Sequence, residues 1–137
     1  MNPIFINLPV EDPQRSRLFY HQIGFADYPP FTGEKQVCVS WGEQVFVMLQ
    51  TASFFQSGHT KSTADASRQI SASFTLPVGS LEQVREKIEK GREAGGTVPG
   101  PIRDEGFMQV GIIEDPDGHT WSFIHLDMEA FQSSRKA

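Results

Sequence analysis

Ile4, Ile6, Leu8 and Val10 alternate with Phe5, Asn7 and Pro9, the two-residue period of a strand with one buried face. Asp12 is suited to cap a helix and Pro13 to begin it. Leu18, Phe19 and Ile23 supply its apolar stripe, and Gly24 ends it. Phe25 to Tyr28 predicts a short strand stopped by Pro29-Pro30. Val37 to Trp41 and Val45 to Gln50 predict a hairpin turning at Gly42-Glu43.

Residues 51–69 interrupt this pattern with a polar stretch carrying one helical turn, which reads as a linker or a lid. Its adjacent Phe54 and Phe55 have three readings: an anchor to the core, a lid, or a dimer contact. The pattern then restarts. Ile70, Ala72, Phe74, Leu76 and Val78 form the apolar row of a strand, and Ser80 caps a helix from Leu81 to about Ala94. Gly95-Gly96 closes that helix. A proline-interrupted edge strand follows over 97–102, then strands over 107–113 and 120–126 joined by the tight turn Asp115-Pro-Asp-Gly118. Asp127 is placed to cap a short helical tail through Phe131.

Leu8-Pro9-Val10 recurs as Leu76-Pro77-Val78, and each copy runs into a helix signal. The half-chain period predicts an α+β protein of two strand-helix-strand-strand-strand (βαβββ) modules, paired into a curved sheet around a cleft with helices outside. The expected layout is one domain over 1–137, with module one at 1–50, the linker or lid at 51–69, module two at 70–126 and a tail at 127–137.

Composition narrows the partners. A net charge of −5 without any basic run argues against nucleic acid or an anionic membrane. No apolar run reaches the roughly 18 residues of a membrane span, and the N-terminus lacks a leader pattern, so the expectation is a cytoplasmic protein. Cys38 is the single cysteine and reads as a small buried hydrophobe.

Strand phase identifies the candidate chemistry. If Ile4, Ile6, Leu8 and Val10 face a helix, then Phe5, Asn7 and Pro9 face the cleft. By the same phase Phe46, Met48 and Gln50, Ser73 and Thr75, and Thr120, Ser122 and Ile124 look inward. This lining of aromatic, thioether, amide and hydroxyl groups has no carboxylate and no imidazole. It suits an apolar or aromatic ligand oriented by a few hydrogen bonds, and is poorly equipped for metal catalysis or proton transfer. Neither Ser73 nor Ser122 has an inward base to activate it, so no catalytic residue is expected.

The histidines have plain readings. His21 suits the end of the first helix, His59 is solvated in the linker (or a lid imidazole), and His119 is exposed after its turn. His125 shares the phase of Trp121 and Phe123, which predicts a hydrogen-bonded residue on the helix side; a one-residue bulge would turn it inward. Asp115 and Asp117 form a turn and lack the other ligand positions of a calcium loop. The charged helix faces, including Arg15, Arg17, Glu86, Lys87 and Glu89, read as solvated.

Taken in order, Leu8-Pro-Val-Glu-Asp-Pro-Gln-Arg-Ser16, Phe19-Tyr20 with Ile23-Gly24-Phe25, Ala94-Gly95-Gly96 and Glu114-Asp-Pro-Asp-Gly118 resemble the vicinal oxygen chelate superfamily. That group includes glyoxalase I, extradiol dioxygenases, and fosfomycin and bleomycin resistance proteins. The resemblance spans nearly the whole chain and implies paired βαβββ modules and often a homodimer. In its metal-dependent members four strand positions supply His and Glu ligands. Those positions match Phe5, Met48, Ser73 and Ser122 here, none of which is a plausible ligand for a divalent ion.

The expected function is therefore metal-independent binding of a small molecule, by sequestration or sensing, without a cofactor. The expected contacts are Phe5, Asn7, Met48, Gln50, Ser73, Thr75 and Ser122. Two other classes stay open. A glyoxalase-like lyase or isomerase, or a dioxygenase, would need ligands from elsewhere, with His125 and His59 first in line; an interaction module would leave the cleft empty.

Overall fold

A computed structural model describes residues 2–136. The chain forms two compact units, Met1–Gln69 and Ile70–Ala137. Each is a four-stranded mixed sheet with helices, an α+β arrangement of two βαβββ modules.

In the first unit β1 (Ile4–Val10), α1 (Pro13–Gln22), β2 (Ala26–Asp27), β3 (Gln36–Trp41), β4 (Val45–Thr51) and α2 (Ala52–Ser57) follow in order, with a 3-10 turn at Pro29–Phe31. The sheet runs β1-β4-β3-β2, with β1 parallel to β4 and the other pairs antiparallel. Asp12 caps α1 by accepting from Gln14 N at 3.0 Å and Arg15 N at 3.4 Å, which holds two amides that no helical carbonyl reaches. Phe19, Tyr20 and Ile23 are buried, as are Leu8, Val10, Val37, Val39, Val47 and Leu49 on one face of the sheet. Rings join α1 to that face, Tyr20 to Phe25 and Phe25 to Trp41, each at 5.3 Å. Leu18, predicted in the stripe, is 62% exposed. Phe19 and Ile23 of the predicted stripe are buried, and Ser16 and Tyr20 rather than Leu18 complete the inner face.

The second unit repeats the plan with β5 (Ser73–Pro77), α3 (Leu81–Glu93), β6 (Arg103–Asp104), β7 (Met108–Glu114), β8 (Thr120–Leu126) and α4 (Met128–Lys136). Its sheet order, β5-β8-β7-β6, matches the first unit position for position. Pro9 and Pro77 thus both sit on edge strands, where a residue without an N–H leaves no central ladder bond unmade. Ser80 accepts from Gln83 N at 3.1 Å while Gln83 Oε1 reaches back to Gly79 N at 2.6 Å, a variant of the capping box. Val84 and Ile88 pack onto Gly111, where a Cβ would lie 2.6 Å from Ile88 Cγ1.

Two predicted strands differ. β5 begins at Ser73, and Ile70 lies outside it, 68% exposed. Across 97–102 only Thr97 pairs, in an isolated bridge with Glu114, and β6 starts at Arg103, beyond Pro99 and Pro101. Proline cannot donate to a ladder, so pairing resumes after the second one. The tail helix is capped as predicted, Ala130 N donating to Asp127 at 3.0 Å, and runs past Phe131 to Lys136.

Candidate functional site

The face of the first sheet turned away from α1 carries Phe5, Asn7 and Pro9 from β1. Beside them in register stand Phe46, Met48 and Gln50 of β4, and next to those Ser40, Cys38 and Gln36 of β3. This is the predicted phase, and it gathers Phe5, Asn7, Met48 and Gln50 on one surface. Phe5 and Phe46 stack with centroids 5.0 Å apart, and Tyr28 meets Phe46 edge-on at 4.9 Å. Phe31 closes the group, 5.6 Å from Phe5 and 5.2 Å from Tyr28. Beneath lies a small core of Cys38, Phe46 and Met48 with Tyr28 against it.

Sequence phase missed Tyr28 and Phe31 because neither lies on a long strand. The 3-10 turn through Pro29-Pro30 carries them, and side chains pin it. Thr32 Oγ1 accepts from Cys38 N at 3.0 Å and donates to Tyr28 O at 3.2 Å. Gln36 Nε2 donates to Phe31 O at 3.1 Å while its Oε1 accepts from Gln50 Nε2 at 3.0 Å. An amide pair on the face thus holds an aromatic residue at its rim. Two aromatic residues flanking a Pro-Pro pair were the available signal. Phe5 is 46% and Phe31 41% exposed, while Phe46 and Met48 are buried, so two rings of the group are open to solvent.

Cys38 is buried, and burial pushes its thiol up to about 11. It is the small hydrophobe expected, without thiolate character near neutral pH.

In the second unit the corresponding face carries Ser73 and Thr75 of β5, Thr120, Ser122 and Ile124 of β8, and Val110, Ile112 and Glu114 of β7. The predicted Ser73, Thr75 and Ser122 therefore share a face within this unit. One expectation is overturned: Glu114, in register with Thr120, places a carboxylate on this face. It comes from β7, which lies outside the four strands of the predicted lining.

The histidines separate as follows. His125 faces the helix side with Trp121 and Phe123, its Nδ1 2.7 Å from Gln109 Oε1, as predicted. Gln109 Nε2 donates to Asp104 at 3.1 Å, so the amide oxygen is the atom left for the imidazole. His21 lies in the last turn of α1, 3.7 Å from Asp27. His59 is exposed and packs on the Phe55 ring at 4.8 Å. His119, expected to be exposed, is half-buried in its turn, its amide donating to Asp115 at 2.8 Å. Asp115 also accepts from Asp117 N at 2.9 Å, which fixes this segment as a turn. Arg17, read as solvated, makes a two-pronged pair with Asp27 at 3.0 and 2.9 Å. That guanidinium holds the Asp27 carboxyl below its usual range.

The donor set does not fit a divalent cation. Phe5, Met48, Ser73 and Ser122 occupy the positions that the resemblance assigns to ligands, and Glu114 is a single hard donor. Among the described residues no three of His, Cys, Asp and Glu come together as a metal-holding group. No helix among them is long and apolar enough to cross a membrane.

Neither a family model nor a curated protein matches the chain. Solved structures do. A hypothetical protein from S. aureus superposes with a TM-score of 0.79 at 26% identity, over 91% of this chain and 94% of that one. A glyoxalase-related enzyme from Fulvimarina pelagi gives 0.76 at 20% identity, over 91% and 88%. A glyoxalase/bleomycin resistance protein/dioxygenase family enzyme from Burkholderia phytofirmans gives 0.76 at 13% identity, over 92% and 99%. The chain has the vicinal oxygen chelate fold. On this vicinal oxygen chelate fold the first sheet carries Phe5 and Met48 where the resemblance places metal ligands.

Proposed function

We propose that this protein binds a small, largely aromatic molecule on the aromatic face of its first unit, without a metal ion. The observation that carries this reading is the gathering of Phe5, Tyr28, Phe31 and Phe46 on the face opposite α1, with Phe5 and Phe31 open to solvent. Exposed rings beside a thioether favour burial of an apolar, planar ligand. Asn7 and the Oε1 of Gln50 then orient its polar edge, since Gln50 Nε2 is engaged with Gln36 Oε1 and Gln36 Nε2 with Phe31 O. Considered by itself, the second unit's face offers the hydroxyls of Ser73, Thr75 and Ser122 as hydrogen-bond donors and acceptors. Sequestration or sensing follows from a surface of this kind better than turnover, since its aromatic part holds no acid or base. A homodimer belongs to the same reading.

Native mass spectrometry of protein purified in the presence of a chelator tests it. The expected result is retention of a cell-derived aromatic compound by the metal-free protein, lost in Phe5→Ala. Stoichiometric divalent metal in protein purified without the chelator, with retention abolished by its removal, would overturn it.

A further inference from the structure

Beyond the aromatic face, the segment that follows α2 forms a second concave surface. Phe55, His59, Thr60, Lys61 and Ser62 border a shallow hollow of about 390 Å³ that is open to solvent. One side chain fixes this loop. Gln56 Nε2 donates to Lys61 O at 2.7 Å and to His59 O at 3.4 Å. Its Oε1 accepts from Thr63 N at 2.8 Å and from the Thr63 hydroxyl. The amide is used at both ends, and the backbone from His59 to Thr63 is tied to α2 before any ligand arrives.

The lining has a definite chemistry. The Phe55 and His59 rings, 4.8 Å apart, form an aromatic wall. Lys61 brings the cation, and Thr60 and Ser62 bring hydroxyls. Among the described residues no carboxylate borders the hollow. Asp65, the acid nearest in the loop, accepts from Ser67 N and Oγ at 3.0 and 2.6 Å, which holds its carboxyl below the usual range and commits it to its own turn. The last carbonyls of α2 are covered as well. Ser57 Oγ donates to Phe54 O at 2.6 Å, Gly58 N to Phe55 O at 3.3 Å and His59 N to Gln56 O at 3.0 Å. These hydrogen bonds satisfy the carbonyls, and Lys61 is the group that offsets the negative end of the helix for an anion.

We infer that this hollow binds a small aromatic carboxylate, its ring against Phe55 and His59 and its anionic group on Lys61 and the flanking hydroxyls. The inference uses no residue of the aromatic face and stands apart from it. An arene alone forgoes the cation, and inorganic phosphate forgoes the wall.

The test is an NMR titration of the full chain that follows the His59 imidazole and the Ser62 amide. The probes are benzoate, inorganic phosphate and benzyl alcohol, on wild type, Lys61→Met and Lys90→Met. Lys61 is an exposed loop residue, so its loss leaves the fold intact. Lys90 on α3, paired with Glu86, controls for net charge. Saturable benzoate shifts in wild type and Lys90→Met are expected, with affinity about tenfold weaker in Lys61→Met and for the other two probes. Shifts that do not saturate, an affinity unchanged in Lys61→Met, or phosphate or benzyl alcohol matching benzoate would overturn it.

Discussion

Phe5 and Phe46 stand in register on neighbouring parallel strands and stack at 5.0 Å, yet Phe46 is 8% exposed and Phe5 46%. The inner ring is part of the packed sheet, and the outer one is open to solvent. Phe46→Ala should destabilise by about 3–5 kcal/mol, as truncation of a buried ring does. Phe5→Ala should lose only about 0.5–1.5 kcal/mol, the worth of a ring pair, while weakening ligand binding. Urea denaturation beside a binding isotherm separates the two effects.

Gly111 lies under α3, where an added Cβ would meet Ile88 Cγ1 at 2.6 Å and Val84 Cγ1 at 2.9 Å. Gly111→Ala should destabilise by about 1–3 kcal/mol through overpacking. In an Ile88→Ala background, itself destabilised by loss of a buried side chain, Gly111→Ala should cost less, because the nearest of these contacts is gone. A double-mutant cycle in urea, with coupling of opposite sign to the single effects, checks this.

The Arg17–Asp27 pair ties α1 to the edge strand β2 and keeps the Asp27 carboxyl below its usual range. A depressed carboxylate contributes stability above its unfolded value of about 3.9 and loses it as pH falls through the lower folded value. Wild type should therefore be the more stable above about pH 5, and its advantage over Asp27→Asn should vanish in acid. The pair is surface-exposed, so the difference is small and shrinks with salt. Thermal melts over pH 2–7, a range of about five units chosen to span both carboxyl values, measure it.

Burial raises the Cys38 thiol from 9.0 to about 11. Native protein near neutral pH should resist a disulfide reagent such as Ellman's, and unfolding should release one reactive thiol per chain. Since the folded state favours the protonated form, this group's contribution to stability is complete below about pH 9 and declines as pH rises towards about 11. Labelling rates with and without urea, together with melts at alkaline pH, test both statements.

Long elements were legible because period and punctuation agreed. β8 runs over Thr120–Leu126 as its alternation predicts, and α3 begins after its Ser80 cap. The faces of β1, β4, β5 and β8 followed from phase alone, so the predicted Phe5, Asn7, Met48 and Gln50 share one surface and Ser73, Thr75 and Ser122 another. Legibility ended where tertiary pairing decides. Ile70 continued an apolar alternation but has no strand partner, and Thr97 makes a single bridge before Pro99 and Pro101 interrupt the edge. Tyr28 and Phe31 reach the site through a turn held by the side chains of Thr32 and Gln36, contacts remote from any local pattern.

Observing the Met48 methyl, buried on the aromatic face, during titration with 2-naphthol in excess chelator is the most direct measurement of the central claim. The account predicts saturable shifts of that methyl and of the Phe46 ring in metal-free protein, weakened by Phe5→Ala. Unmoved resonances, or shifts that require an added divalent cation, would contradict it.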